Sequence, residues 1–209
     1  MEKTAVSLNI AILPDATVRN QAIILSEHIT KKIATHFTLN TNTLLPHVTI
    51  YQARFPKQNL KKVVQKAKEI ARLVQPFTIE LNLLSVEYET FFFWHCKKID
   101  QLLKLHKDIV DATNKLREGL VLSHLAGVTG LSEEDRKDIQ MYGALLIGPR
   151  YRPHITLTRL LNSTDSEKAL HIIGKKKKMQ FLVKNVIVGY LGDHGTVNGI
   201  VETIPLGAK

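Results

Sequence analysis

The chain has 209 residues, with 29 Lys and Arg against 19 Asp and Glu, a formal net charge of +10. Apolar residues make up 44% and charged residues 23%, which is enough to bury a core and too apolar for a disordered polymer. No apolar run approaches the ~20 residues of a membrane span, and the single cysteine, Cys96, excludes an internal disulfide or a multi-cysteine zinc site.

One cysteine fits a reducing, cytoplasmic setting. Residues 1–15 hold only a short apolar stretch, interrupted by Asn9, and do not read as a signal peptide. The first predicted element is a strand over 5–13, where Val6, Leu8, Ile10 and Ile12 alternate with smaller or polar residues. Pro14 breaks it, and Asp15 or Thr17 can cap a helix over 18–37 with Val18, Ala22, Leu25, Ile29 and Ile33 on one face. A strand over 44–55 follows. An amphipathic helix over 59–75 then carries Lys61, Lys62, Lys66, Lys68 and Arg72 opposite its apolar stripe.

Two strands are predicted at 77–88 and 91–97, with a tight turn between them, then a helix over 99–116. Ser132, followed three residues later by Asp135, caps a short helix over 132–141. A short strand at 144–147, a strand over 151–161 and a helix over 165–173 come next. The sequence closes with a long strand over 179–191, the turn Gly192-Asp193-His194-Gly195, and a returning strand over 196–204. Interleaved helices with adjacent strands paired as hairpins predict an α+β fold with mainly antiparallel sheets, and no linker divides the chain. No glycine-rich phosphate loop is present.

One pattern occurs twice. Pro46-His47-Val48-Thr49-Ile50 recurs as Pro153-His154-Ile155-Thr156-Leu157, about half the chain away. That spacing predicts one domain over 1–209 made of two duplicated lobes, with a motif in each, at 47–50 and 154–157. A strand has a period of two, so each histidine shares a face with the threonine two residues on. If the lobes face each other about a pseudo-twofold axis, one cleft holds two imidazoles and two hydroxyls. An imidazole titrates near neutrality and can act as general base or general acid. The hydroxyls can hold non-bridging phosphate oxygens between the imidazoles, and no metal is required.

At these residues the sequence resembles the 2H phosphoesterase superfamily, in its branch of 2′-5′ RNA ligase-like proteins and RNA 2′,3′-cyclic phosphodiesterases. The resemblance implies a bilobal α+β fold, with two antiparallel sheets, outer helices and a motif strand in each lobe. It implies His47 and His154 as the acid–base pair and Thr49 and Thr156 as phosphate ligands. It implies metal-free action on cyclic phosphates or 2′-5′ linkages of RNA ends or small nucleotides, without a cofactor. The second motif extends to a His-x-Thr-Leu-x-Arg form, which carries Arg159 over as a substrate ligand. The first motif continues Tyr51-Gln52-Ala53-Arg54-Phe55 and departs from the Phe-Leu-Gly run frequent in the ligase-like branch.

By strand parity Tyr51 shares the face of His47 and Thr49, where it either stacks on a base or sugar as a substrate ligand or serves as a core or cleft-wall aromatic. Arg159 has the opposite parity to His154 and reaches the cleft only where the strand twists, bulges or ends. His95 and His194 read as structural and turn residues. Lys175-Lys176-Lys177-Lys178 reads as a solvated turn. Residues 57–72 and 175–184 together carry the whole excess charge, so that charge aligns an anionic polymer without defining the reaction. A monomer suffices, with RNA ends or small nucleotides as partners and no membrane. The rival readings are a non-catalytic RNA- or nucleotide-binding protein that uses the same cleft, and an interaction protein that uses its basic surface.

Overall fold

The computed structural model describes residues 4–208; residues 1–3, part of the stretch judged not to be a leader, and residue 209 lie outside them. The elements are β1 (Ala5–Ile12), α1 (Ala16–Thr30), β2 (Val48–Pro56), α2 (Leu60–Arg72), β3 (Phe77–Glu87), β4 (Phe91–Cys96) and α3 (Asp100–Thr113). There follow α4 (Glu133–Tyr142), β5 (His154–Arg159), α5 (Ser166–Ile173), β6 (Lys176–Val183), β7 (Asn185–Leu191) and β8 (Val197–Pro205).

The expected α+β fold with antiparallel strands is what forms. The strands make one eight-stranded sheet in the order β6-β3-β4-β5-β2-β1-β7-β8 rather than two separate sheets. Two four-stranded halves meet where β2 pairs with β5, and that ladder is a single residue pair, Val48 with Ile155. Each half presents its motif strand at this junction. Each motif strand is also reached from a neighbouring strand through helical chain, β1–α1–β2 in one case and β4–α3–α4–β5 in the other.

The helices tie the halves together. α1 leaves β1 but packs on β5 and β6 of the opposite half, and α3 leaves β4 but packs on β2. One apolar core follows, running through Ile10, Val48, Phe55, Trp94, Leu105 and Ile155. Asp15 caps α1 by accepting from the Val18 N–H at 2.9 Å, and Ser132 caps α4 by accepting from Asp135 at 3.1 Å.

Three predicted elements differ. α1 ends at Thr30, although Ile33 is buried as the helical spacing suggested, and Phe37 and Leu39 beyond it are buried too. That segment instead hydrogen-bonds to its neighbours: His36 N–H donates to the Arg159 carbonyl and Leu39 N–H to Ser26 Oγ. The long strand at 179–191 is two strands, β6 and β7, on different halves, divided at Lys184. Residues 144–147 form no strand, and Leu146 there takes a left-handed φ of 61°.

His106 of α3 ties β2 to the segment that precedes β5. Its Nδ1 donates to the Ile50 carbonyl at 2.7 Å, and its Nε2 accepts from Gly148 N–H at 3.0 Å. Its ring stacks on Tyr151 with centroids 3.9 Å apart, and the Tyr151 hydroxyl donates to the Thr49 carbonyl at 2.8 Å. Both ring nitrogens are thus committed to the neutral form, and burial pushes the imidazole pKa below its ordinary 6.5.

A folded-state pKa below the unfolded one means that the unfolded chain takes up the proton first. This contribution to stability is complete above pH 6.5 and is lost as pH falls below it. We expect the melting temperature to drop on acidification through that range, measured by circular dichroism. His106→Leu should reduce the slope and lower stability at neutral pH by about 1–3 kcal/mol for each buried backbone group left unpaired.

Candidate functional site

Both motif histidines are held in the same way. Proline precedes each, and its ring fixes φ and keeps the preceding residue extended. The carbonyl two residues before the histidine then accepts from Nδ1: Leu45 for His47 at 2.8 Å, Arg152 for His154 at 2.6 Å. This fixes the neutral tautomer with Nδ1–H and leaves the Nε2 lone pair as the reactive position. The proline of the repeated motif is thus part of how the imidazole is aimed.

A cleft of about 810 Å³ opens over the junction of the two halves, lined by Thr49, His154, Thr156 and Arg159 among others. His47 lies buried beside Thr49, only 7% exposed. The Asn9 amide of β1 links the two, with Nδ2 3.0 Å from Thr49 Oγ1 and 3.2 Å from His47 Nε2. Asn9 is fully buried, and its Oδ1 has no hydrogen-bond partner. A half-turn of the amide presents that oxygen to a protonated Nε2 and to the threonine hydroxyl. Asn9 can therefore serve either protonation state of His47.

Burial is the leading cause that pushes both catalytic candidates below the ordinary imidazole pKa. His154 is lowered further by the neighbouring His95 and His47, which resist a second positive charge. The Phe93 ring stacks on His154 at a centroid distance of 3.6 Å. Behind it, His95 shares Ser85 and Glu87: its Nε2 is 2.6 Å from Ser85 Oγ, which donates to Glu87. That chain holds the strand under His154 and agrees with the structural reading of His95.

The remaining predicted residues are decided by two β-bulges. In β2, Thr49 pairs with Ala11 and Tyr51 with Ile10, so Ile50 is the extra residue. In β5, Thr156 pairs with Phe93 and Thr158 with Phe92, so Leu157 is extra. Each bulge directly follows the motif threonine and shifts strand parity by one. Tyr51 therefore turns away from the cleft, which overturns its reading as a substrate ligand. It is 1% exposed, and its hydroxyl donates toward Asn114 Oδ1 (2.9 Å) and the Tyr142 carbonyl (2.8 Å). Gln52 takes the cleft-facing position instead. The same shift turns Thr158 inward and brings Arg159 into the cleft, where its guanidinium lies 4.8 Å over the Phe91 ring.

Tyr51 anchors a wall. Arg117 donates to the carbonyls of Leu120, Gln140 and Met141 and satisfies the C-terminal end of α4. Gly143 follows at φ +69°, and a Cβ there would lie 2.6 Å from the Leu120 carbonyl oxygen. The segment so fixed carries Leu122, His124, Leu145 and Ile147 along one side of the cleft.

Neither the lysines of α2 nor Lys175–Lys178 line the cleft; its fixed cations are Arg152 and Arg159, and the imidazoles of His124 and His194 lie in its lining too. Parity on β1 hinted at Asn9, and the bulge concealed Gln52. His124 and His194 sit on irregular segments that no periodicity places. Among the described residues, no group of three His, Cys, Asp or Glu side chains is arranged to hold a metal ion. No helix of the described residues is long and apolar enough to cross a membrane.

A family model described as the 2′-5′ RNA ligase superfamily matches residues 25–194. Among solved structures, TT0787 of Thermus thermophilus is similar with a TM-score of 0.62 at 14% identity, covering 97% of this chain and 99% of its own. LigT of E. coli, complexed with NADP+, matches with a TM-score of 0.55 at 13% identity, over 98% of this chain and 100% of its own. The complex of LigT with 3′-AMP gives 0.54 at 14% identity, with the same shares of the two chains. At these identities the likeness is one of fold. No curated protein matches the sequence.

The tautomers can be read directly. In a ¹⁵N-labelled sample at neutral pH, His47 and His154 should both give the spectrum of the neutral Nδ1–H form. Both should titrate below 6.5. Asn9→Leu should change the His47 titration and leave that of His154 in place.

Proposed function

The chain belongs to the 2′-5′ RNA ligase superfamily, and from that premise we propose that it is a metal-independent phosphodiesterase. Its substrates in this reading are RNA or nucleotide 2′,3′-cyclic phosphates or 2′-5′ linkages. The observation that carries the reading is the matched pair of imidazoles. Each is locked by its own backbone with Nε2 as the proton-exchanging atom, and each stands beside a threonine hydroxyl.

For a 2′,3′-cyclic phosphate, one Nε2 takes a proton from water as its oxygen attacks phosphorus. The bond from phosphorus to one ribose oxygen breaks, and the other imidazole, protonated, gives that oxygen its proton. Thr49 and Thr156 donate to the non-bridging oxygens and hold the group in line. In the free protein both imidazoles favour the neutral form, since both pKa values lie below the ordinary one. The anionic phosphate supplies the charge that stabilises one of them as imidazolium. Proton uptake then accompanies substrate binding. The same steps in reverse join a 2′-hydroxyl to a cyclic phosphate.

Adenine nucleotides named in the E. coli LigT complexes, 3′-AMP and ATP, support a nucleotide as the ligand class. The intact histidine and threonine of both motifs favour turnover over binding alone. The basic surfaces of α2 and β6 lie outside the cleft, so in this reading they attract long RNA and leave the chemical step alone.

Turnover of a panel of 2′,3′-cyclic nucleotides and 2′-5′ oligonucleotides, with product analysis, tests this reading. His47→Ala and His154→Ala should each lower kcat by at least ~10²-fold, and activity should survive EDTA. Full activity in either folded variant would sink the mechanism. Because kcat/KM reports the free enzyme, its high-pH limb should fall below 6.5, as the acid must hold its proton at a lowered pKa.

A further inference from the structure

Beyond Thr156 the cleft continues into a group of side chains that the two-histidine reaction leaves unused. Four separate segments supply it: Arg159 of β5, His194 of the turn before β8, His36 after α1, and His124 on the wall that Tyr51 anchors. Arg159 Nη1 stands 3.1 Å from His194 Nδ1. Arginine has no acceptor, so it donates to a neutral imidazole whose Nε2 then carries a hydrogen and faces outward as a donor. The His36 ring lies 4.5 Å from that of His194, and Phe37 stacks on His194 at 6.0 Å. His36 is set in place by its N–H bond to the Arg159 carbonyl.

The backbone spends strain on this arrangement. His194 has a left-handed φ of 58°, uncommon for a residue with a side chain. Among the described residues the polar side-chain partners of Arg159 are His194 and, at 3.4 Å, Thr90, with the Phe91 ring beneath its guanidinium. No carboxylate neutralises it. Asp193 is the one acid that acts on His194, against His36, Arg159 and His124. Donors thus converge on a part-exposed space with a deficit of negative charge, which is the chemistry of a phosphate site.

Its position selects the phosphate. Arg159 lies three residues beyond Thr156, one of them taken up by the bulge, or roughly 7–10 Å along the strand. Phe93 and Phe91, the cross-strand partners of Thr156 and Arg159, line the cleft between the two positions. Phe93 is covered by His154, and the part-exposed Phe91, with Arg159 over its ring, offers apolar surface against which a base or sugar can rest. We propose that Arg159, His194 and His124, with His36 behind them, bind a second phosphate, attached to the 5′-oxygen of the nucleoside whose cyclic phosphate lies between His47 and His154. This rests on the phosphodiesterase reading for the place of the reacting group, while the second site is read by binding alone.

The probes are adenosine 3′-phosphate and adenosine 3′,5′-bisphosphate, titrated by calorimetry, with a dinucleotide ending in a 3′-phosphate as a third arm. Wild-type protein should bind the bisphosphate or the dinucleotide at least about tenfold more tightly than the monophosphate. A gain for the bisphosphate alone assigns the site to a terminal phosphate, and a gain for both assigns it to a 5′-phosphate of either kind. The combined His124→Gln and His194→Asn variant should bring the ratio close to one. Asparagine is chosen because it accepts the left-handed backbone. Lys61→Gln with Lys62→Gln should leave the ratio as it is. An equal affinity for all three probes in wild type overturns the proposal, as does a ratio that survives the histidine variant. Cyclic phosphate turnover, run in parallel, separates the two readings. A gain without turnover leaves the second site standing and removes the phosphodiesterase, and turnover without a gain does the reverse.

Discussion

The pairing of Val48 with Ile155 is the constraint from which the rest of the molecule is organised. These are the middle residues of the two His-x-Thr motifs. Antiparallel register about that pair sets each histidine across from the other motif's threonine. A longer ladder would flatten the two halves into one continuous surface and cover the motif backbones. One pair lets the halves diverge and leaves the space between them open. Crossing helices compensate for so slight a junction: α1 and α3 each leave one half and pack on the other. His106 and Tyr151 add polar ties from Ile50, Gly148 and Thr49 directly beneath it.

The two bulges then determine which side chains face the cleft. A strand read with a strict period of two puts Tyr51 in the cleft and Arg159 outside it. The structure reverses both, and for one reason, since Ile50 and Leu157 are each extra residues in their ladders. Sequence can present the motif, but a bulge depends on what the neighbouring strand offers, here Ala11 to Thr49 and Phe93 to Thr156. His-x-Thr was legible because it is local and repeated, and Pro-His was legible for the same reason. The consequence of that proline, a histidine bonded to the carbonyl two residues back, needed coordinates. So did Asn9, whose chain neighbours in β1 are all apolar or small and whose partners lie more than thirty positions away.

The fold itself followed from patterns of burial, and its departures share a cause. Helical spacing continued through Ile33 to Phe37, yet the chain left the helix at Thr30 and buried those residues in an irregular segment. Apolar spacing specifies which residues go inside; it does not specify the backbone that takes them there. The run from Met179 to Leu191 shows the same limit, as its strand-forming residues continue from β6 into β7 although the two strands belong to opposite halves. His124 and His194 were unreadable because they sit on turns, where no periodicity assigns a face.

Charge divides the molecule in a way that composition only suggested. The net +10 lies largely on α2 and around β6, on surfaces outside the cleft. In the proposed reaction the proton-exchanging groups are imidazoles, and burial keeps those of His47 and His154 toward the uncharged form. A site built of fixed ammonium groups would bind any phosphate and hold the product as firmly as the substrate. A site built of neutral imidazoles acquires its charge only as an anionic ligand arrives and proton uptake from solvent accompanies its binding. Binding and the assignment of acid and base are then one event, because the ligand that needs a proton donor also stabilises it. In the proposed function the same property separates recruitment from chemistry, since the surface lysines would act at long range on a polymer while the cleft would respond to the single phosphate that enters it.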